Sequence, residues 1–162
     1  MIFLTVGSQM PFPRLVRAVD EWAQHHRGVE VVAQIGSDTS ARPVALKVFD
    51  SVSPARFGEL VRTCELVVAH AGTGTVLTAL EHDKPMILMA RRAALQETRN
   101  DHQVATLRWL KSKPGIHAAE DVAALKLALD DWLARGLAAP AMREDRKESL
   151  QSLIDSVRAF IA

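Results

Sequence analysis

The stretch of residues 65–89, ELVVAHAGTGTVLTALEHDKPMILM, constrains this chain more than any other. It opens with Leu66-Val67-Val68-Ala69, an apolar run of the length and composition of a buried strand. A glycine-bearing turn follows, His70-Ala71-Gly72-Thr73-Gly74-Thr75. Val76, Leu77, Ala79 and Leu80 then recur at helical spacing, predicting a helix over 75–82 that Lys84-Pro85 ends. Met86-Ile87-Leu88-Met89 reads as a second buried strand. Strand, loop, helix and strand in that order make a parallel β-α-β unit with a right-handed crossover. The glycines permit a sharp turn and close approach of a ligand to the main chain. The unpaired N–H groups at the helix start, near 73–76, attract anions, phosphate above all. Thr73 and Thr75 add hydroxyl donors. The same residues also suit a plain strand-to-helix turn. With two glycines, no third, and no acid ending the next strand, this is not the dinucleotide fingerprint.

The remaining chain repeats the alternation. Residues 2–6 read as a buried strand, followed by Gly7-Ser8-Gln9 and a helix over 13–27 that begins at a proline. Strands are expected over 29–34 and 46–49, and Ser53-Pro54 starts a helix to 63. After the central unit, residues 90–100 form a charged loop, and Asp101 opens a helix to 111. A short edge strand at Ile116-His117 precedes an alanine- and leucine-rich helix to 134. Residues 136–140 read as a linker and 141–161 as a terminal helix. On that helix Leu150, Leu153, Ile154, Val157, Phe160 and Ile161 share a stripe, expected to dock on a partner or pack on the sheet. Apolar strands alternating with helices predict an α/β fold with a doubly wound, mostly parallel, Rossmann-like sheet, in a single domain over 1–162.

Composition narrows the partners. Lys and Arg total 20 against 19 Asp and Glu, there is no tyrosine, and no basic stripe stands out, so a nucleic-acid surface is not expected. The single cysteine, Cys64, at an apolar helix end, points to a reducing compartment. Residues 1–6 lack the length and basic start of a signal peptide, and no apolar run approaches a membrane span. A cytoplasmic protein is expected. The six histidines form no spaced ligand pair, so no metal is expected, and no serine sits in a G-x-S-x-G elbow.

Ligands of such sheets lie beyond the carboxyl ends of the strands. Four loops qualify: 7–12, 36–41, 70–75 and 90–103. Their uncharged donors, glycines and arginines suit a phosphorylated ligand. Ser8 and Gln9 would contact phosphate or cap the following helix. His70 would touch the ligand, as a possible catalytic group, or hydrogen-bond its own turn. Arg91 and Arg92 read as solvated charges, and Glu81 as a surface carboxylate or a partner for Lys84. Asp101 is a ligand contact or an N-cap, and Gln103 can both donate and accept.

Taken together, the TVGSQMPF opening, the HAGTGT turn, Glu81 followed by Lys84-Pro85, and the Arg99-Asn100-Asp101-His102-Gln103 run resemble family 28 glycosyltransferases. The likeness is to the UDP-sugar-binding C-terminal half of a GT-B enzyme, over residues 1–133. It extends to stand-alone versions of that half, such as the catalytic subunit of the dolichol-pathway UDP-GlcNAc transferase and bacterial exopolysaccharide subunits. The resemblance implies that Gly7, Ser8 and Gln9 lie near the phosphates, and that His70, Ala71, Gly72, Thr73, Gly74 and Thr75 hold the diphosphate. Asn100, Asp101, His102 and Gln103 would read the sugar hydroxyls. Thr78 stands where relatives carry a ribose-binding glutamate, with Glu81 one turn further on. It also implies an inverting transferase that transfers a hexose-type sugar from UDP-sugar to a lipid-linked or polysaccharide acceptor, without cofactor or metal. A membrane-associated partner subunit would supply the acceptor half and hold the chain peripherally at the membrane, with a homodimer possible when it is alone. A nucleotide-sugar sensor, or a UDP-sugar epimerase or hydrolase, are the alternative readings.

Overall fold

The computed structural model describes residues 1–37, 42–136 and 145–161, and of 145–150, 153 and 161 the backbone alone. Six strands form one sheet: β1 (Ile2–Thr5), β2 (Val31–Gln34), β3 (Lys47–Phe49), β4 (Leu66–His70), β5 (Met86–Met89) and β6 (Ile116–Ala119). Their order is β3-β2-β1-β4-β5-β6, and every neighbouring pair is parallel. The helices are α1 (Pro13–His25), α2 (Pro54–Thr63), α3 (Thr73–Glu81), α4 (His102–Leu110), α5 (Val122–Arg135) and α6 (Asp145–Ile161). This is the doubly wound, Rossmann-like sheet the alternation predicts.

Residue alternation along the strands divides the core in two. Ile2, Leu4, Leu66, Val68, Ile87 and Met89 face α1 and α5. Phe3, Val67, Ala69, Met86 and Leu88 face α2, α3, α4 and α6. Because both faces are covered, β1, β2, β4 and β5 are buried at every position, which is why they read as unbroken apolar runs. Pro13 stands at the start of α1, and the Ser53 hydroxyl accepts from Arg56 N at 3.2 Å to cap α2. Cys64 ends α2 fully buried, and desolvation pushes its thiol up to about 11, so it is an unreactive apolar filler.

Several boundaries shift by a few residues from the sequence reading, and one loop gains a turn. β2 begins at Val31, because Val29 is used in a turn, its N–H donating to His26 O at 2.9 Å. α3 begins two residues early, at Thr73, so Thr73 and Gly74 lie inside its first turn. β6 runs to the buried Ala119. Within the 90–100 loop, Ala93–Leu95 forms a 3-10 turn. The expected linker at 136–140 lies outside the described residues after Gly136, as do 141–144 of the terminal helix and 38–41 of the loop after β2.

Candidate functional site

Strand order reverses between β1 and β4: from β1 the chain passes to β2 on one side, from β4 to β5 on the other. The crossovers diverge there, opening a crevice above the adjoining strand ends. The loops that rim it are those after β1 and β4, the two glycine-bearing turns singled out in the sequence.

His70 is where they meet. It is the last residue of β4 and 8% exposed. A Cβ on Gly72 would fall 2.0 Å from His70 Nε2, and one on Gly7 would fall 2.7 Å from its Cε1. The imidazole therefore occupies the space that side chains at 7 and 72 would need. Gly7 also has φ +78°, a conformation L-residues rarely adopt, so glycine is required there twice over. Desolvation, then the nearby Arg91 charge, push His70 down to about 4, with the Thr5 backbone pulling weakly the other way. Its Nδ1 is buried and makes no well-formed hydrogen bond among the described residues. At neutral pH the ring is uncharged: a weak base, but one that still carries an N–H donor.

Gly74 differs from its neighbours. A Cβ there would meet nothing within 4 Å, so the fold does not demand glycine. It is exposed in the first turn of α3, whose N-cap is Gly72. The first helical bond is Val76 N to Gly72 O, at 3.1 Å. The amides of Thr73, Gly74 and Thr75 therefore have no partner within the helix and face the crevice end. Not every predicted donor is free. Ala71 is buried and its N–H donates to Met89 O at 3.2 Å, and Gly7 N donates to Thr5 Oγ1 at 3.1 Å. Thr75 is buried, Thr73 is half-buried, and Thr78 Oγ1 donates back to Gly74 O at 3.0 Å. Ser8 and Gln9 are exposed; α1 begins after Phe12 without a side-chain cap, so neither residue caps it.

The segment after β5 closes the third side. Asn100 Oδ1 accepts from His102 N at 3.2 Å and Asp101 Oδ1 from Ala93 N at 2.9 Å. Asp101 holds the N-cap position of α4, yet its carboxylate braces the 3-10 turn rather than capping the helix. Gln103 Oε1 accepts from Arg91 N at 3.1 Å, leaving its amide N–H groups to donate.

One charge assignment needs correction, and Glu81 keeps the surface reading but not Lys84 as partner. Arg91 is not a solvated loop charge: it is 4% exposed and donates to the carbonyls of Val6 and Met10. Arg92 is exposed, as expected, and donates to Glu120 O. Glu81 pairs with Arg158 of α6 at 3.4 Å, whereas Lys84 Nζ donates to Cys64 O at 2.8 Å. The sequence reading missed Arg14, which grips Glu97 through two bonds of 2.7 and 2.8 Å and the Ala90 carbonyl at 3.0 Å. No local signal marks a pair separated by 83 residues.

Comparison with known proteins bears on this arrangement. The model of the glycosyltransferase family 28 C-terminal domain matches residues 1–156. The chain belongs to that family. Among curated proteins, erythronolide mycarosyltransferase from Saccharopolyspora erythraea is 40% identical over 63 residues, 39% of this chain and 14% of that enzyme. The solution structure of ALG13 superposes with a TM-score of 0.63 at 20% identity, covering 92% of this chain and 94% of that one. The glycotransferase of kitacinnamycin gives the same TM-score and identity over 98% of this chain, which spans only 39% of that protein. The superpositions establish the shared Rossmann-like fold of GT-B halves. This family 28 domain is thus about two fifths of the length of the kitacinnamycin enzyme it matches.

Proposed function

We propose that this family 28 domain binds the UDP-sugar donor of an inverting glycosyltransferase that transfers a hexose-type sugar to a lipid-linked or polysaccharide acceptor. The observation that carries the reading is the pairing of the two glycine turns across His70 at the switch point, with the free amides of α3 beside them. The donor diphosphate would lie over Gly7, Ser8 and Gln9 on one side and His70, Gly72, Thr73 and Gly74 on the other. Ala71 and Thr75, both buried, shape that turn more than they touch the ligand. The remaining Thr78 lone pairs would face the ribose. Gln103, held through its Oε1 by the Arg91 N–H, would present its amide N–H groups to the sugar, with Asn100 and Asp101 beside it.

Charge builds on the departing UDP as the glycosidic bond to the donor breaks. Pre-oriented amides, the α3 dipole and the neutral His70 N–H would meet that charge without reorganising. This reading asks for no metal. It does ask for a second half to position the acceptor and remove its proton, for which the described loops offer no arranged base. A membrane-associated partner subunit is the proposed source, with the chain held at the cytoplasmic side of the membrane through it. The near end-to-end match to ALG13 supports a domain of this extent as one folding unit.

The test is a thermal-shift panel of UDP, UDP-GlcNAc, UDP-glucose, UDP-galactose and UDP-glucuronate on the intact chain. A ligand that binds only the folded state at about 100 times its Kd adds roughly 2.7 kcal/mol of stability. UDP and one or two UDP-sugars should raise the Tm. A flat panel, UDP included, would refute the donor-site reading.

A further inference from the structure

We propose that Arg91 is a positioning residue supplying the fixed positive charge for the donor diphosphate, an inference that rests on the nucleotide reading above. Its Nη2 donates to Val6 O at 2.8 Å and to Met10 O, the carbonyls on either side of the Gly7-Ser8-Gln9 turn. The guanidinium lies 5.1 Å from the Phe12 ring centre, and Gln103 holds the Arg91 backbone N–H. One side chain thus ties the loop after β5 to the loop after β1.

A strut needs donors; it does not need charge. A neutral amide could serve the two carbonyls, whereas a buried cation is costly unless an anion meets it. No ion pair involves Arg91 among the described residues. Glu97, the carboxylate nearby, is committed to Arg14 by two bonds and to the Arg92 N–H at 3.0 Å. Arg14, Arg91 and Glu97 together therefore carry one net positive charge, and His70, also beside Arg91, is neutral. Among the described residues, the Arg91 Nε–H is buried without a partner. Desolvation lowers the Arg91 pKa, with Glu97 pulling the other way. The geometry leaves a cation next to the phosphate loops that lacks an anion until a ligand brings one.

Two variants separate charge from strut. Arg91→Gln keeps N–H donors and removes the charge; Arg91→Lys keeps the charge and loses the planar fork. Calorimetry with UDP, inorganic pyrophosphate and uridine should show Arg91→Gln weakening UDP and pyrophosphate by about tenfold or more, the effect of one charge several ångströms away at an effective dielectric constant near 20. Uridine should bind unchanged, and Arg91→Lys should retain most of the preference for UDP over uridine. In the wild-type chain, the NMR signal of the buried Arg91 Nε–H should move on adding UDP or pyrophosphate and stay in place with uridine. That measurement decides the matter should a variant fail to fold. Equal loss of UDP and uridine in Arg91→Gln, or an unmoved Nε–H signal with UDP bound, would reduce Arg91 to a structural tie and leave the donor site standing. Failure of the wild-type chain to bind either UDP or pyrophosphate would remove the donor site, and this inference with it.

Discussion

His70, Gly7 and Gly72 form one packing unit, and its chemistry is set by how little room it leaves. With the imidazole held near pH 4 instead of its ordinary 6.5, the unfolded chain binds a proton that the folded chain refuses between those values. Stability contributed by this site is complete above about pH 6.5 and is lost as pH falls toward 4. The difference amounts to at most about 3 kcal/mol, from 1.36 kcal/mol per pH unit. Urea unfolding at pH 7.5 and 5.0 should show a larger acid-induced loss for wild type than for His70→Gln; equal losses would mean that the ring is already solvated. The two glycines of the second turn should also separate by stability. Gly72→Ala drives a methyl into His70 and should cost about 1–3 kcal/mol. Gly74→Ala meets open space in an α-helical turn and should be neutral or stabilising by up to about 1 kcal/mol. Denaturant midpoints of the two variants check the ordering. From sequence alone the glycines looked equivalent, because what distinguishes them is a ring from β4 folded over one and not the other.

At the scale of elements, the sheet was legible because strands buried on both faces cannot alternate, and glycines and prolines bound each apolar run. Helix edges shifted where backbone bonds overrode pattern, as at Thr73. Charge location was the least legible feature. Arginine usually signals solvent, yet Arg91 is buried because two loop carbonyls and the Phe12 ring receive it. The terminal helix is the other case. Its stripe was expected to dock on a partner or to pack on its own sheet, and α6 takes the second course. Ile154 and Val157 are buried in the core layer shared with α3, and Arg158 reaches Glu81. Phe160 stacks on Trp109 with ring centres 5.3 Å apart. Leu150, Leu153 and Ile161 lie outside the described side chains. Ile154→Ala should therefore cost about 2–4 kcal/mol in chemical denaturation, as for a buried isoleucine. A change under about 0.5 kcal/mol, typical of exposed positions, would show that α6 is detachable.

For the molecule as a whole, the sheet order brings residues 7, 70, 72 and 91 to one edge although the sequence separates them by up to 84 positions. Family membership and fold agree that this edge belongs to a family 28 C-terminal domain. The proposal that this edge holds a UDP-sugar is tested at Gly74 with least interference from folding. Calorimetric titration of UDP into wild type and Gly74→Val is the direct measurement, with Tm recorded for both. Saturable binding to wild type is expected, and its loss in a variant that melts at nearly the same temperature, because the added side chain would enter the space where the diphosphate would meet the α3 amides. Unchanged UDP affinity in a folded Gly74→Val chain would contradict the proposal.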